Sequence, residues 1–158
     1  MGIITSFSLP PYNFVFLNFL SLPTLLYILI NYTHKKIISF FVGWVFGFGY
    51  FISNLYWITN SLTFDVNFKF IIPFALILIP LFLGIFYGLV TFLCNFFNLK
   101  NKISSILIFS TFFGGIEFLR SFIFGGFPWN LVVFSLSNNL PSLQILSYIG
   151  TVSYTHLR

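Results

Sequence analysis

Long apolar runs separated by short polar clusters make up most of the chain. They cover residues 14–30, 37–62, 70–97 and 103–124, with a shorter run at 140–152. A helix that crosses a bilayer needs about 20 mostly apolar residues, within a range of roughly 17–25. The four long runs therefore each predict a transmembrane helix, and 140–152 predicts a partial one. The third run is long enough to tilt. The runs are continuous rather than alternating, and far longer than the roughly 9–11 residues of a barrel strand. Helices follow, because a backbone amide in lipid has to be bonded inside the protein, and a helix does so within one segment. The residues before Pro10 are too few to cross. They read as the end of a helix or as a re-entrant piece turned at Pro10-Pro11. The predicted fold class is all-α: a polytopic transmembrane helix bundle of about four to five spans.

Composition narrows the class. Of 158 residues, 58% are hydrophobic and 6% charged, against about a quarter charged in soluble domains. A water-facing globular domain and a disordered chain are both excluded. Lys and Arg outnumber Asp and Glu by 7 to 2, but the cations are scattered between apolar runs. They serve as topology signals, not as a clustered nucleic-acid face, and no nucleic-acid partner is expected. The basic loops His34-Lys35-Lys36 and Lys100-Asn101-Lys102 lie two spans apart, so both are expected on the cytoplasmic side. The loop with Asp65 and Lys69 and the uncharged stretch 125–139 then face outward. No Lys or Arg precedes Lys35, so no cleavable signal peptide is expected. The single cysteine excludes an internal disulfide framework and a cysteine zinc site. No metal-ligand spacing and no phosphate-binding glycine loop occur, and neither a metal nor a cofactor is predicted. No internal repeat of the kind many transporters carry is visible.

A few residues stand out from this background. Gly43 and Gly47 in the second run, and Gly84 and Gly88 in the third, each form a G-x-x-x-G pattern that lets another helix approach closely; packing is the favoured role. Glu117 and Arg120 lie inside the fourth run, three residues apart and so on one helix face. Ionisable groups at that depth usually face protein or water. Two readings stand side by side: an ion pair that locks helices together, or a site for a charged lipid headgroup or an acyl-transfer partner. The stretch Gly125-Gly126-Phe127-Pro128-Trp129-Asn130 follows, with two glycines and Pro128 shaping a turn. On residue type alone Trp129 is an interfacial anchor. Its nearness to Arg120 suggests one outer-leaflet surface shared with the charge pair. Cys94 has no base near it in sequence and reads as a small buried hydrophobe. Trp44, Tyr56 and Trp57 read as anchors or packing groups, and Asn54 and Asn60 as polar residues bonding across helices. Asp65 reads as a solvated loop residue, His34 as part of the basic loop, and His156 as part of the tail.

Three stretches carry a resemblance. They are Phe7-Ser8-Leu9-Pro10-Pro11-Tyr12; Gly43-Trp44-Val45-Phe46-Gly47-Phe48-Gly49 with Tyr56-Trp57; and Glu117-Phe118-Leu119-Arg120 with Gly126-Phe127-Pro128-Trp129 and Ile149-Gly150 downstream. In this order they resemble the amino-terminal membrane region of bacterial apolipoprotein N-acyltransferases. The first two are weak alone; the third is fairly specific. The resemblance implies a bundle of about eight membrane helices with a periplasmic nitrilase-like domain, in the bacterial inner membrane. It implies acyl transfer in two steps. A cysteine thiolate takes a fatty acyl group from a phospholipid donor as a thioester, releasing a lysophospholipid. The acyl group then passes to the amino-terminal cysteine amine of an apolipoprotein acceptor. The family's base, oxyanion lysine and nucleophile have no counterparts here: Glu117 is not that base and Cys94 is not that nucleophile. The resemblance therefore implies a membrane region, residues 1–152, that is truncated before the catalytic domain and inactive alone. Within it, Glu117, Arg120 and Trp129 are the expected lipid- and substrate-contacting residues. Residues 153–158 change character abruptly and are expected to be a non-native tail. From the residues alone, a fragment of a polytopic transporter and a standalone helical scaffold remain as alternatives.

Overall fold

The computed structural model describes residues 1–33, 35–55, 70–97, 99, 102–123 and 130–136. For Lys102 only the backbone is described. Among them the chain is all helical. A short α1 (Gly2–Ser6) leads to α2 (Phe16–Tyr32), α3 (Lys36–Asn54), α4 (Ile72–Cys94) and α5 (Lys102–Ile123), followed by a 3-10 turn, Val132–Leu136. Three stretches are long and apolar enough to cross a membrane: Lys36–Asn54, Ile72–Cys94 and Ile103–Ile123. α2 is a shorter apolar helix of 17 residues. The outward faces match lipid rather than water as the surrounding solvent. Ile77, Leu78, Phe82 and Ile85 of α4, and Ile106, Leu107, Leu119 and Phe122 of α5, are all exposed.

The helix limits differ from the apolar runs where a polar side chain decides them. α2 continues past Ile30 because Asn31 turns its amide back onto the Tyr27 carbonyl, and the helix closes at Tyr32. α3 stops at Asn54 rather than near residue 62. The Asn54 amide folds back onto the Tyr50 carbonyl, while its own carbonyl accepts from Asn130 Nδ2 at 3.2 Å. α4 starts at Ile72 with Pro73 in its first turn, where the missing N–H costs nothing. It ends at Cys94, because Asn95 is drawn toward α3: its Nδ2 donates to Ser39 Oγ and, at 3.3 Å, to the Thr33 carbonyl. The run 140–152, the tail 153–158, Asn60 and Asp65 lie outside the described residues.

The bundle is built on the α3–α4 pair, its most extensive contact. A side chain at Gly47 would put its Cβ 2.9 Å from Gly84 Cα. One at Gly84 would lie 3.0 Å from the Phe48 nitrogen and the Trp44 carbonyl. At Gly43 it would overlap Thr91 Oγ1, and at Gly88 it would press into the Phe40 ring at 2.8 Å. The two glycine pairs thus face each other, and backbone meets backbone. Such proximity lets polar side chains reach across: Thr91 Oγ1 donates to the Ser39 carbonyl at 2.7 Å, and Trp44 Nε1 to the Leu81 carbonyl at 2.9 Å. In hydrocarbon these bonds replace water contacts that are not available. α1 packs on a different strip of α3, with Gly2 against the Phe46 carbonyl and Ile3 beside Gly49. Cys94 is buried with no exposure, one of the core hydrophobes.

Replacing Gly47 by Leu at this crossing is expected to destabilise the protein by about 1–3 kcal/mol through overpacking. Gly115→Leu, at a position with nothing within 4 Å, should stay within about 0.5 kcal/mol of the parent. Reversible unfolding in mixed detergent checks both.

Candidate functional site

Glu117 and Arg120 occupy the inward face of α5, buried to 7% and 1% exposure. Neither points to the outer rim. Glu117 Oε1 accepts the Tyr87 hydroxyl at 2.8 Å and the Val132 backbone N–H at 3.2 Å. Arg120 Nη2 approaches the same oxygen at 3.6 Å. One carboxylate oxygen thereby joins α4, α5 and the 3-10 turn. A buried ionic pair has to recover its desolvation cost through such additional partners.

Arg120 is held differently. Its guanidinium carbon lies 4.8 Å from the Phe51 ring centre and 5.9 Å from that of Tyr87. Its Nε, Nη1 and Nη2 find no hydrogen-bond acceptor among the described residues. The charge is met by Glu117 and by ring faces, an arrangement that strengthens when water is excluded. The rings are themselves ordered. Phe51, Tyr87 and Phe113 form a stack, with centres 5.4 and 5.0 Å apart and planes within 25°. Tyr50 meets Phe51 edge-on at 5.1 Å.

The same residues fix the chain where it returns after α5. Tyr50 donates its hydroxyl to the Asn130 carbonyl at 3.0 Å. Asn130, at φ 40°, sends its amide to the Asn54 carbonyl. The left-handed backbone there suits Asn. Glu117 holds Val132, and Asn18 of α2 donates to Ser135 Oγ at 2.8 Å. Four bonds from three helices seat residues 130–135. Trp129, Pro128 and the glycines before them lie outside the described residues, but the anchor that follows them is described.

Cavities lined by described residues adjoin this core. One, of about 510 Å³, opens between the α1 exit and the end of α3; Tyr12, Asn54 and Asn130 line it. Another, of about 400 Å³, runs between α2 and α5, lined by Leu22, Leu26, Phe109, Phe113 and Val133, with Glu117 on its wall. Among the described residues no cluster of His, Cys, Asp and Glu has the makings of a metal site.

Tyr50 and Tyr87 are the residues that reading the sequence missed. A signal existed: a tyrosine deep in an apolar run needs a partner for its hydroxyl. Trp44 serves in the helix crossing, and Asn54 as a lock on Asn130. His34, Tyr56, Trp57, Lys100 and Asn101 lie outside the described residues.

The profile of the apolipoprotein N-acyltransferase N-terminal domain matches residues 1–157. The apolipoprotein N-acyltransferase of Brucella melitensis biotype 1 is 31% identical over 165 residues. That of Rhizobium rhizogenes is 32% identical over the same length. Each alignment takes in 99% of this chain and 31% of the relative, so the chain spans about a third of the length of these curated relatives. The enzyme of Rhizobium etli is 33% identical with the same coverage. No solved structure matches.

Removing the Glu117 carboxylate strands Arg120, Tyr87 and Val132 together. Glu117→Leu is expected to cost about 3–5 kcal/mol. Adding Arg120→Leu should recover part of that loss, because the uncompensated charge goes with it. A double-mutant cycle on unfolding free energies measures the recovery.

Proposed function

The chain belongs to the apolipoprotein N-acyltransferase N-terminal domain family, and from that premise we propose that it is the membrane part of an inner-membrane acyltransferase. In this reading the whole enzyme moves a fatty acyl group from a phospholipid to the terminal amine of an apolipoprotein through a cysteine thioester. The reactive thiol belongs to a catalytic domain outside residues 1–152, and this chain supplies the surface where the lipid and lipoprotein substrates are gathered. The relatives' names favour this reading over a transporter.

The observation that carries the proposal is the seating of residues 130–135 by Tyr50, Glu117, Asn54 and Asn18. A segment that only linked two spans would not need four bonds from three helices. Gly126-Phe127-Pro128-Trp129 immediately precedes this seat in the sequence, and Trp129 is the residue we assign to substrate contact. Glu117 and Arg120 act as the support of residues 130–135 rather than by touching substrate themselves. Cys94 is no nucleophile: it is fully buried. It also lies seven residues along α4 from Tyr87, about 10 Å of helix rise from Glu117's partner.

Lys35 and Lys36 start α3, and the basic loop 100–102 leads into α5; with both in the cytoplasm, the Asn54–Asn130 end lies outward. A cysteine at Lys35 should react with a membrane-impermeant thiol reagent only after cell lysis, and one at Tyr12 in intact spheroplasts. The reverse pattern overturns the orientation. In the full-length enzyme, Arg120→Leu is expected to lower kcat/KM for acyl transfer at least tenfold, about 1.4 kcal/mol of transition-state stabilisation. Phe118→Leu, on the exposed face, should leave it within twofold. Equal activities, measured with a labelled phospholipid donor, would remove the functional role of the pair.

A further inference from the structure

The 3-10 turn Val132–Leu136 is pinned to two helices at once. Glu117 of α5 accepts the Val132 N–H at 3.2 Å, and Asn18 of α2 donates to Ser135 Oγ at 2.8 Å. Those two helices touch each other far less than α4 and α5 do. Between them lies a groove walled by Leu22, Pro23 and Leu26 on α2 and by Ile106, Phe109 and Phe113 on α5. Val132 and Val133 line it too. The turn, tied to both walls, therefore delivers the chain into the mouth of the groove.

The α5 wall suits a helix better than lipid. Ser110 and Gly114 line it, both exposed, and a Cβ at Gly114 would meet nothing within 4 Å. Small and hydroxyl-bearing residues are what membrane helices present to one another. Where α5 faces outward elsewhere it shows Leu107, Leu119 and Phe122.

The sequence beyond the turn supplies an occupant. Only Ser137, Asn138 and Asn139 separate Leu136 from the apolar run 140–152, so Leu140 begins within about 14 Å of the turn. The run carries no charged residue. As a helix its 13 residues rise about 20 Å, and the α5 wall from Ile106 to Glu117 is about 17 Å long. So short a tether gives the run a high effective concentration at the groove, an advantage that no separate molecule and no later segment shares.

We propose that the groove between α2 and α5 is the docking site of residues 140–152, which enter it as a helix antiparallel to α5. With Leu140 level with Glu117, Leu143 lies opposite Gly114 and Ser147 opposite Ser110. The proposal does not rest on the acyltransferase reading.

The test introduces cysteine pairs into a Cys94→Ala background and oxidises them with copper phenanthroline in bacterial membrane vesicles. Mass spectrometry identifies the linked peptides. Gly114→Cys with Leu143→Cys, and Ser110→Cys with Ser147→Cys, are each expected to link within one chain in at least half of the molecules. Gly115→Cys with Leu143→Cys should link at least fivefold less. Adding Gly114→Leu, whose side chain fills the groove, should cut the 110–147 link at least fivefold; adding Gly115→Leu should leave it unchanged. Equal linking at 114 and 115, or a 110–147 link that ignores Gly114→Leu, overturns the docking site. Links between two chains give the groove to a second copy, and no link in either pair leaves it to lipid; both overturn the assignment. The same links are expected in the full-length enzyme, and their loss there would hand the groove to a later segment and overturn it as well. Acyl transfer is no part of the readout, so this proposal and the acyltransferase reading fail separately.

Discussion

A carboxylate inside hydrocarbon has no water to solvate it, and the upper half of this bundle is organised around meeting that one demand. Glu117 draws a hydroxyl from α4, a backbone N–H from the returning chain and a guanidinium from its own helix onto a single oxygen. Each partner is itself fixed by that contact. Tyr87 becomes the middle ring of a stack reaching from α3 to α5. Arg120 is pressed against Phe51. Val132 starts a 3-10 turn where the chain would otherwise leave the bundle. Buried charge is weak support for net stability. It is better understood here as specifying where four segments meet.

That meeting depends on how closely α3 and α4 approach. Without side chains at Gly43, Gly47, Gly84 and Gly88, the axes come near enough for Tyr87 to lie against Phe46, Tyr50 and Phe51 at once. The helix crossing and the polar site are therefore one construction: one side of Gly84–Gly88 supplies backbone contact, and Tyr87 on the same turn supplies the donor.

The spans were legible in the sequence because hydropathy records the solvent a segment meets, and lipid imposes that record over many consecutive residues. Their ends were not, because Asn31, Asn54 and Asn95 set them through individual bonds to Tyr27, Tyr50 and Ser39. Glu117 and Arg120 stood out as rare charges in an apolar run. Their direction did not, since a spacing of three places two residues on a common face without saying which way that face turns. Tyr50 and Tyr87 were hidden among eight tyrosines, most of which suit a membrane interface equally well.

α2 differs from the rest of the bundle in how it is held. Near one end Asn18 is tied to Ser135, and just past the other the Thr33 carbonyl is tied to Asn95. Between them Pro23 interrupts the helix ladder at the wall of the cavity between α2 and α5. α2 is thus held at its two ends by side-chain bonds, whereas α3 and α4 are held along their length by backbone contact at the glycines.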